Sequence, residues 1–176
     1  MIGTTKSRHS KKRIILLAKV LVCNGSLHQG EIESGGRQCT CIALVFLTLN
    51  DIPKSVQEVD NTLHKGTTTY QSLARNDNVY LLITDFPDRV SIENEIFDLI
   101  VRNSISGMLL QEFDHLDSLT FKLDSAVEQY FDMAPTCFPT TGNNPGYTIG
   151  INKIDEHYYV MDYHSRDDKG LSSPLG

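Results

Sequence analysis

The 176-residue sequence predicts an α+β fold, in which helices mainly from the first half of the chain pack on an antiparallel sheet mainly from the second half. An apolar run over residues 42–47 follows a glycine pair, and a Ser-x-x-Glu pattern typical of a helix start comes next at Ser55. Near the other end, residues 147–154 and 158–163 flank a short polar turn, which predicts a β-hairpin. The sequence contains no internal repeat and no regular alternation of strands with helices, so a parallel α/β sheet is disfavoured.

Size and composition predict one domain. A chain of 176 residues with 40% hydrophobic residues can bury a single full core. Residues 1–13 are polar and basic without apolar periodicity, so we expect a disordered arm there and one folded domain over residues 14–176. The last residues contain no terminating helix or strand, and we expect the chain to be part of a larger protein.

The charge of the chain is unevenly distributed. Six of the sixteen basic residues lie before residue 20, so from there onward ten basic residues accompany twenty-two acidic ones, a balance of −12. Binding to a phosphate backbone needs clustered Lys and Arg, so the acidic body argues against a nucleic-acid partner. It favours a basic partner instead.

The low cysteine content predicts a reducing compartment, the cytoplasm or the nucleus. Four cysteines in 176 residues are too sparse for the disulfide framework of a small secreted domain. The Cys39-Thr40-Cys41 pair lacks the second cysteine pair that a zinc site uses, so we expect no metal and no cofactor.

Residues 14–23 are apolar except for Lys19, but they are too few for the ~20 residues that cross a bilayer. We therefore expect a strand there and no membrane association.

Local patterns assign the elements between these landmarks. The first helix should run to about Asn50, and the capping box at Ser55 should begin a second helix that ends at Gly66, with another short helical turn after it. Residues 79–83 form an apolar run and predict a buried strand, whereas residues 97–102 alternate between apolar and charged side chains and predict a second strand.

One more helix is predicted before the hairpin. Apolar residues recur at helical spacing after Asp117, which is a candidate N-cap, so the pattern predicts a helix over residues 117–132. Its apolar stripe indicates a core-facing helix.

A thiol is predicted at the first turn of the first helix. The glycine pair in Ser34-Gly35-Gly36-Arg37-Gln38-Cys39 turns the chain tightly, and the apolar run then continues as a helix. The unpaired N–H groups and the positive end of the helix dipole favour negative charge at such a position, where cysteines are often reactive. Cys39 is therefore the candidate nucleophile. Cys41 lies on a different face of the helix and is predicted to be a core residue.

The candidate base lies 125 residues further on. In a strand, Asp162 and His164 emerge on the same face, so the carboxylate can fix the tautomer of the imidazole. His28 and His157 lie in a loop and a turn without such an acid. A cysteine on the helical side and an Asp-x-His on the sheet side form a candidate triad, arranged as in papain-like thiol hydrolases.

Three motifs stand out along the chain: Leu27-His28-Gln29-Gly30-Glu31, Gly36-Arg37-Gln38-Cys39 and Tyr159-Val160-Met161-Asp162-Tyr163-His164-Ser165-Arg166. Their order is glutamine, cysteine and then Asp-x-His, whereas ordinary papain-like proteases place the Asn or Asp after the histidine. In this order the motifs resemble the herpesviral large tegument protein deubiquitinases and the wider viral-tegument-like group.

The resemblance implies a papain-like cysteine peptidase that hydrolyses the bond after the C-terminal glycine of ubiquitin through a thioester on Cys39. It implies that His164 is the general base, that Asp162 orients it, and that the Gln29 amide donates to the oxyanion together with the backbone N–H of Cys39. Gln38, beside the nucleophile, is the alternative donor. The implied partners are ubiquitin and ubiquitinated proteins. We expect a monomeric enzyme that acts in the virion or the host cell.

Two other classes of function remain open. An inactive ubiquitin-binding module would keep the fold but lose a triad member, and none is missing from the sequence. A cysteine protease or acyltransferase acting on a ubiquitin-like modifier or on another substrate would keep the triad without recognising ubiquitin.

Overall fold

The computed structural model combines helices with short, mostly antiparallel strands. It describes residues 23–27, 29–34, 36–74, 79–100, 107–108, 121–122, 131–132, 136–137, 140–141, 147–155 and 157–163. The basic arm and the strand predicted at residues 14–23 fall almost entirely outside the described residues, and so does His164.

The described residues form two complete α-helices, two single-turn 3-10 helices and nine short strands, and residues 131–132 are also helical. The helices are a 3-10 turn at Gln29–Glu31, α1 at Cys39–Thr48, α2 at Val56–Leu73 and a 3-10 turn at Ile83–Asp85. The strands are β1 Arg89–Ile92, β2 Glu95–Asp98, β3 Gly107–Met108, β4 Phe121–Lys122, β5 Thr136–Cys137, β6 Thr140–Thr141, β7 Tyr147–Thr148, β8 Gly150–Ile154 and β9 His157–Met161.

The first helix, α1, lies in the middle of the core. Its residues from Cys39 to Phe46 are all buried. A helix that is apolar on every side is stable only when neighbouring elements bury it. Here α1 contacts α2 and the strands β7 and β8. The predicted start at Cys39 is confirmed, and the helix ends at Thr48, two residues before the predicted Asn50.

The capping box predicted at the start of α2 is confirmed. The backbone N–H of Glu58 donates to Ser55 Oγ at 3.3 Å, and the backbone N–H of Ser55 donates to Glu58 Oε2 at 3.0 Å. The predicted end at Gly66 is wrong, because α2 continues to Leu73. Gly66 lies where α2 meets α1, and a Cβ at this position would lie 2.5 Å from the Cα of Ile42. The glycine therefore allows close helix packing and does not end the helix.

The predicted hairpin near the C-terminal end is confirmed. Strands β8 and β9 pair antiparallel from Gly150 opposite Met161 to Ile154 opposite His157, and β5 extends this sheet on the other side of β8. The sheet touches α1 at Gly150, where a Cβ would lie 2.7 Å from the ring of Phe46. One cluster of buried side chains joins α1 and α2 to the end of β9: Ile42, Phe46, Leu63, Met161 and Tyr163.

The strand predicted over residues 79–83 is wrong. Tyr80 and Leu82 are 48% and 62% exposed, and the segment forms a loop that enters a 3-10 turn. Its carbonyls bond to side chains of the helices instead of a neighbouring strand, since Tyr70 donates its hydroxyl to Val79 O at 2.6 Å and Thr40 donates to Leu81 O at 2.7 Å. The apolar run therefore lies along the helices without a sheet ladder.

The strand predicted over residues 97–102 is confirmed in part. It is the second strand of the β1–β2 hairpin, it ends at Asp98, and Phe97 and Leu99 pack on a second buried cluster that includes Leu44 and Val90. Residues 101 and 102 lie outside the described chain. The helix predicted over residues 117–132 is confirmed at residues 131–132, which are helical, and is wrong at Phe121–Lys122, which form β4 and pair in parallel with β3. Its other residues lie outside the described part of the chain.

We expect Gly66→Ala to destabilise the protein. A methyl group at this position overlaps the backbone of α1, and overpacking of a close core costs about 1–3 kcal/mol, more than the roughly 1 kcal/mol that alanine gains in helix propensity. The free energy of unfolding in urea measures the loss. Gln71→Ala, on an exposed position of the same helix, is the matched control and should change it by less than about 0.5 kcal/mol. Unchanged stability of Gly66→Ala would mean that the two helices are not this close.

Candidate active site

A tight turn delivers the chain to the candidate nucleophile. Ser34 and Gly36 have φ angles of 84° and 82°, in the left-handed region, and the backbone N–H of Arg37 donates to Ser34 O at 3.3 Å. A left-handed φ is costly for a serine and easy for a glycine. The turn predicted from the glycine pair is thus confirmed, and it leads into α1 at Cys39.

Cys39 is the first residue of α1 and is only 3% exposed. The first N–H groups of a helix have no partner inside the helix, and the helix dipole places partial positive charge there. Gln38 occupies the N-cap position with its side chain fully buried, and no side-chain capping bond is made at this end of the described helix. The backbone at the start of α1 is therefore suited to stabilise negative charge beside the thiol.

A buried threonine fixes the start of α1. The Thr40 hydroxyl donates to Leu81 O, and it lies 3.2 Å from the hydroxyl of Thr148 on β7. It also lies 4.0 Å from the sulfur of Cys39. The helix start is thereby tied to the loop before Ile83 and to strand β7. A polar residue between two cysteines is all that the sequence shows of this contact.

Cys41 is a core residue, as predicted. It is completely buried, and burial raises the pKa of its thiol to about 12, with a further contribution from the neighbouring Cys39. A thiol with such a pKa stays protonated at neutral pH and is a poor nucleophile.

The end of β9 is docked onto the same helix. Asp162 and Tyr163 directly follow the strand; Asp162 is half-buried, and Tyr163 is buried and donates its hydroxyl to Ile42 O at 3.3 Å. Burial, with Asp162 adding to it, raises the pKa of Tyr163 well above its usual range, so the phenol remains a donor. Because Ile42 lies one turn after Cys39, this bond holds the segment Asp162-Tyr163 against the first turns of the helix that carries the candidate nucleophile.

The structure describes the other predicted site residues only in part. Gln29 begins the 3-10 turn Gln29–Glu31 and lies nine residues before Gln38, the N-cap of α1. His164 lies outside the described residues, so the pairing of Asp162 with His164 stays a prediction. Tyr163 and the buried carboxylate of Asp60, which contacts the segment before Gln29, were missed by the sequence analysis.

Within the described residues, no group of three His, Cys, Asp or Glu side chains is arranged to hold a metal ion. Among the helices described there, none is both long enough and apolar enough to cross a membrane.

The family of the chain follows from its sequence as a whole. The family model described as herpesvirus tegument protein, N-terminal conserved region, matches residues 24–174. The chain belongs to this family. The matched range contains Gln29, Cys39, Asp162 and His164, and the resemblance predicted from the short motifs is confirmed. No curated protein matches the chain in sequence.

A solved structure has a similar fold. It is the crystal structure of the ubiquitin-specific protease encoded by a murine cytomegalovirus tegument protein, in complex with a ubiquitin-based suicide substrate. The TM-score is 0.62 at 18% sequence identity, and the alignment covers 84% of this chain and 69% of that one. At this identity the similarity shows a shared fold, a mixture of helices and antiparallel sheet, between this tegument-family chain and the viral protease.

We expect Cys41 to resist alkylation in the folded protein. With its pKa raised to about 12, roughly one thiol in ten thousand is ionised at pH 8, and the side chain is fully buried. Mass spectrometry after brief iodoacetamide treatment and digestion measures the modification at each cysteine. Cys41 should react only after unfolding in guanidinium, and modification of native Cys41 at the rate of a free thiol would contradict the burial described here.

Proposed function

We propose that this tegument-family chain is a cysteine-type deubiquitinase. The observation that carries the proposal is the position of Cys39, which follows a tight turn and begins a buried helix onto which the Asp162-Tyr163 segment is docked. A nucleophile on the helical side and an acid-histidine pair on the sheet side form the arrangement of papain-like thiol hydrolases. The similar fold of the cytomegalovirus protein, which is described as a ubiquitin-specific protease, supports the same class of reaction.

The proposed reaction runs through a thioester. His164 removes the proton from the Cys39 thiol, and the sulfur attacks the carbonyl carbon of the last glycine of ubiquitin. The tetrahedral intermediate collapses as the leaving amine takes the proton from His164. Water, deprotonated by His164, then attacks the thioester and releases the ubiquitin carboxylate and the free thiol. Asp162 accepts a hydrogen bond from the imidazole, fixes its tautomer and stabilises its protonated form.

The developing oxyanion requires donors in the right place. The backbone N–H of Cys39 at the start of α1 is one proposed donor, and the side-chain amide of Gln29 is the second. The turn over Ser34 and Gly36 shapes the connection between these two segments. Donors held in place before the reaction stabilise the transition state without having to reorganise.

The charge of the chain agrees with ubiquitin as the substrate. From residue 20 onward acidic residues outnumber basic ones by twelve, and the tail of ubiquitin is basic up to its terminal glycine pair. Opposite charges raise the rate of encounter. We therefore propose ubiquitin and ubiquitinated proteins as the partners of a monomeric enzyme, acting in the tegument of the virion and in the infected cell.

We expect Cys39→Ala to abolish hydrolysis of a ubiquitin C-terminal amide and to prevent a covalent adduct with a ubiquitin electrophile. Cys41→Ala is the matched control and should keep most of both activities, because its thiol is buried and protonated. Turnover by fluorescence and adduct formation on a denaturing gel are the measurements, each on protein shown to be folded. Equal losses in both variants would overturn the assignment. A reactive thiol in the wild type that ignores the ubiquitin probe would favour a protease or acyltransferase with another substrate.

We expect Gln29→Ala to lower kcat by ~10²–10³, the usual cost of losing one oxyanion donor, with little change in ubiquitin affinity. The donor is aimed at charge that appears only when the carbonyl is attacked, so binding of the ground state should not depend on it. Gln38→Ala is the comparison, and it should instead lower the stability of the fold, because the side chain is fully buried at the N-cap of α1. A wild-type kcat in Gln29→Ala, or a defect confined to binding, would assign the oxyanion donor elsewhere.

A further inference from the structure

A buried carboxylate on α2 holds the segment that precedes Gln29. Asp60 is 8% exposed and accepts hydrogen bonds from the backbone N–H groups of Ser26 at 2.8 Å and Leu27 at 3.3 Å. Its second oxygen accepts the hydroxyl of Ser26. One carboxylate on a helix thus binds three donors from a loop that lies 33 and 34 residues earlier in the chain.

These hydrogen bonds, and not the burial of apolar side chains, hold this loop in place. Ser26 is exposed and Leu27 is 37% exposed, so little apolar area holds the loop in place. A carboxylate loses solvation when it is buried, and it is retained only where hydrogen bonds compensate. Hydrogen bonds from Ser26, with smaller contributions from Leu27 and His64, lower the pKa of Asp60, so the carboxylate is ionised at neutral pH and the bonds are charge-assisted.

The backbone of the loop touches the helix directly. A Cβ at Gly25 would lie 2.6 Å from Asp60 Oδ1 and 2.9 Å from the side chain of Val59. A glycine is therefore needed for the approach that brings Ser26 within reach of Asp60.

The turn that carries Gln29 lies between two anchors. Upstream, Ser26 and Leu27 are bonded to α2 through Asp60. Downstream, Ile32 packs against the core cluster that includes Ile42 of α1 and Met161 of β9. The 3-10 turn Gln29–Glu31 lies between these contacts, so the chain is held against α2 before the turn and against the cluster that contains Ile42 of α1 after it.

We propose that Asp60 is a positioning residue of the deubiquitinase, which fixes the backbone before Gln29 and thereby the place of the oxyanion donor relative to Cys39. This inference rests on the proposed function. Asp60 does not touch the reacting atoms and acts through Gln29, so removing it should lower kcat only while Gln29 is present.

A double-mutant cycle tests this dependence. Asp60→Ala removes all three hydrogen bonds, and we expect it to lower kcat by about ten- to a hundredfold with little change in KM, since small displacements of a catalytic group have effects of this order. In the Gln29→Ala background the same change should alter kcat by less than about twofold. Asn61→Ala, the next residue on α2 and exposed, is the matched control and should leave kcat unchanged.

A milder variant guards against loss of folding. Ser26→Ala removes only the hydroxyl that donates to Asp60 and leaves α2 intact, and we expect a smaller fall in kcat that also disappears in the Gln29→Ala background. Thermal unfolding of each variant separates loss of stability from loss of turnover. If Asp60→Ala does not fold, the Ser26→Ala cycle decides the question alone.

The outcomes distinguish this inference from the function on which it rests. A wild type that does not hydrolyse the ubiquitin amide overturns the proposed function. An active wild type in which Asp60→Ala and Ser26→Ala keep the full kcat overturns the positioning role alone. The positioning role is also overturned if Asp60→Ala lowers kcat by the same factor with and without Gln29, because Asp60 would then act on the structure in general. A wild-type kcat in Gln29→Ala overturns it as well.

Discussion

The close packing of α1 against its neighbours is the constraint on which the rest of the structure depends. Two glycines without side chains allow it, Gly66 on α2 against Ile42 and Gly150 on β8 against Phe46. Dispersion contacts and the removal of apolar surface from water are greatest at such short separations. The helix that begins with Cys39 is consequently fixed from two sides by backbone that cannot move away without opening the core.

The packing of α1 determines the positions of the segments that form the candidate site. Tyr163 brings the end of β9 to the carbonyl of Ile42, and Thr40 ties the start of α1 to the loop that carries Leu81. Both contacts join segments far apart in sequence, the first across 121 residues. The Cys39 thiol and the segment Asp162-Tyr163, which come from opposite ends of the chain, are thus held at one helix, and a reaction that tolerates little displacement requires such fixed positions.

Local patterns predicted those parts of the fold that local forces determine. The start of α1, the capping box at Ser55 and the β8–β9 hairpin each depend on residues within a few positions, and each was confirmed. The end of α2 and the strand over residues 79–83 depend on distant contacts, so they were wrong. A glycine that allows two helices to touch looks in sequence like a helix stop, and an apolar run whose carbonyls bond to Tyr70 and Thr40 looks like a strand.

The same distinction separates the residues of the site. Cys39 and Asp162 are candidates from the sequence because a glycine turn and an Asp-x-His spacing are visible there. Asp60 was missed because nothing in its own helix distinguishes it from a solvated carboxylate, and its donors lie more than thirty residues earlier.

Three contacts anchor the segments of the proposed site: the packing of α1 on Gly66, the hydrogen bond from Tyr163 to Ile42 O, and the hydrogen bonds from Ser26 and Leu27 to Asp60. They differ in chemistry, so they respond differently to pH. The packing of α1 on Gly66 involves no titratable group, and the phenol of Tyr163 stays protonated because burial raises its pKa well above the usual range. The Asp60 anchor is the sensitive one. Its pKa is lower in the folded protein than in the unfolded chain, so its stabilising effect is fully present above the unfolded pKa and is lost as the pH falls through the folded one. All three anchors are therefore intact at the neutral pH at which a cysteine and a histidine exchange a proton.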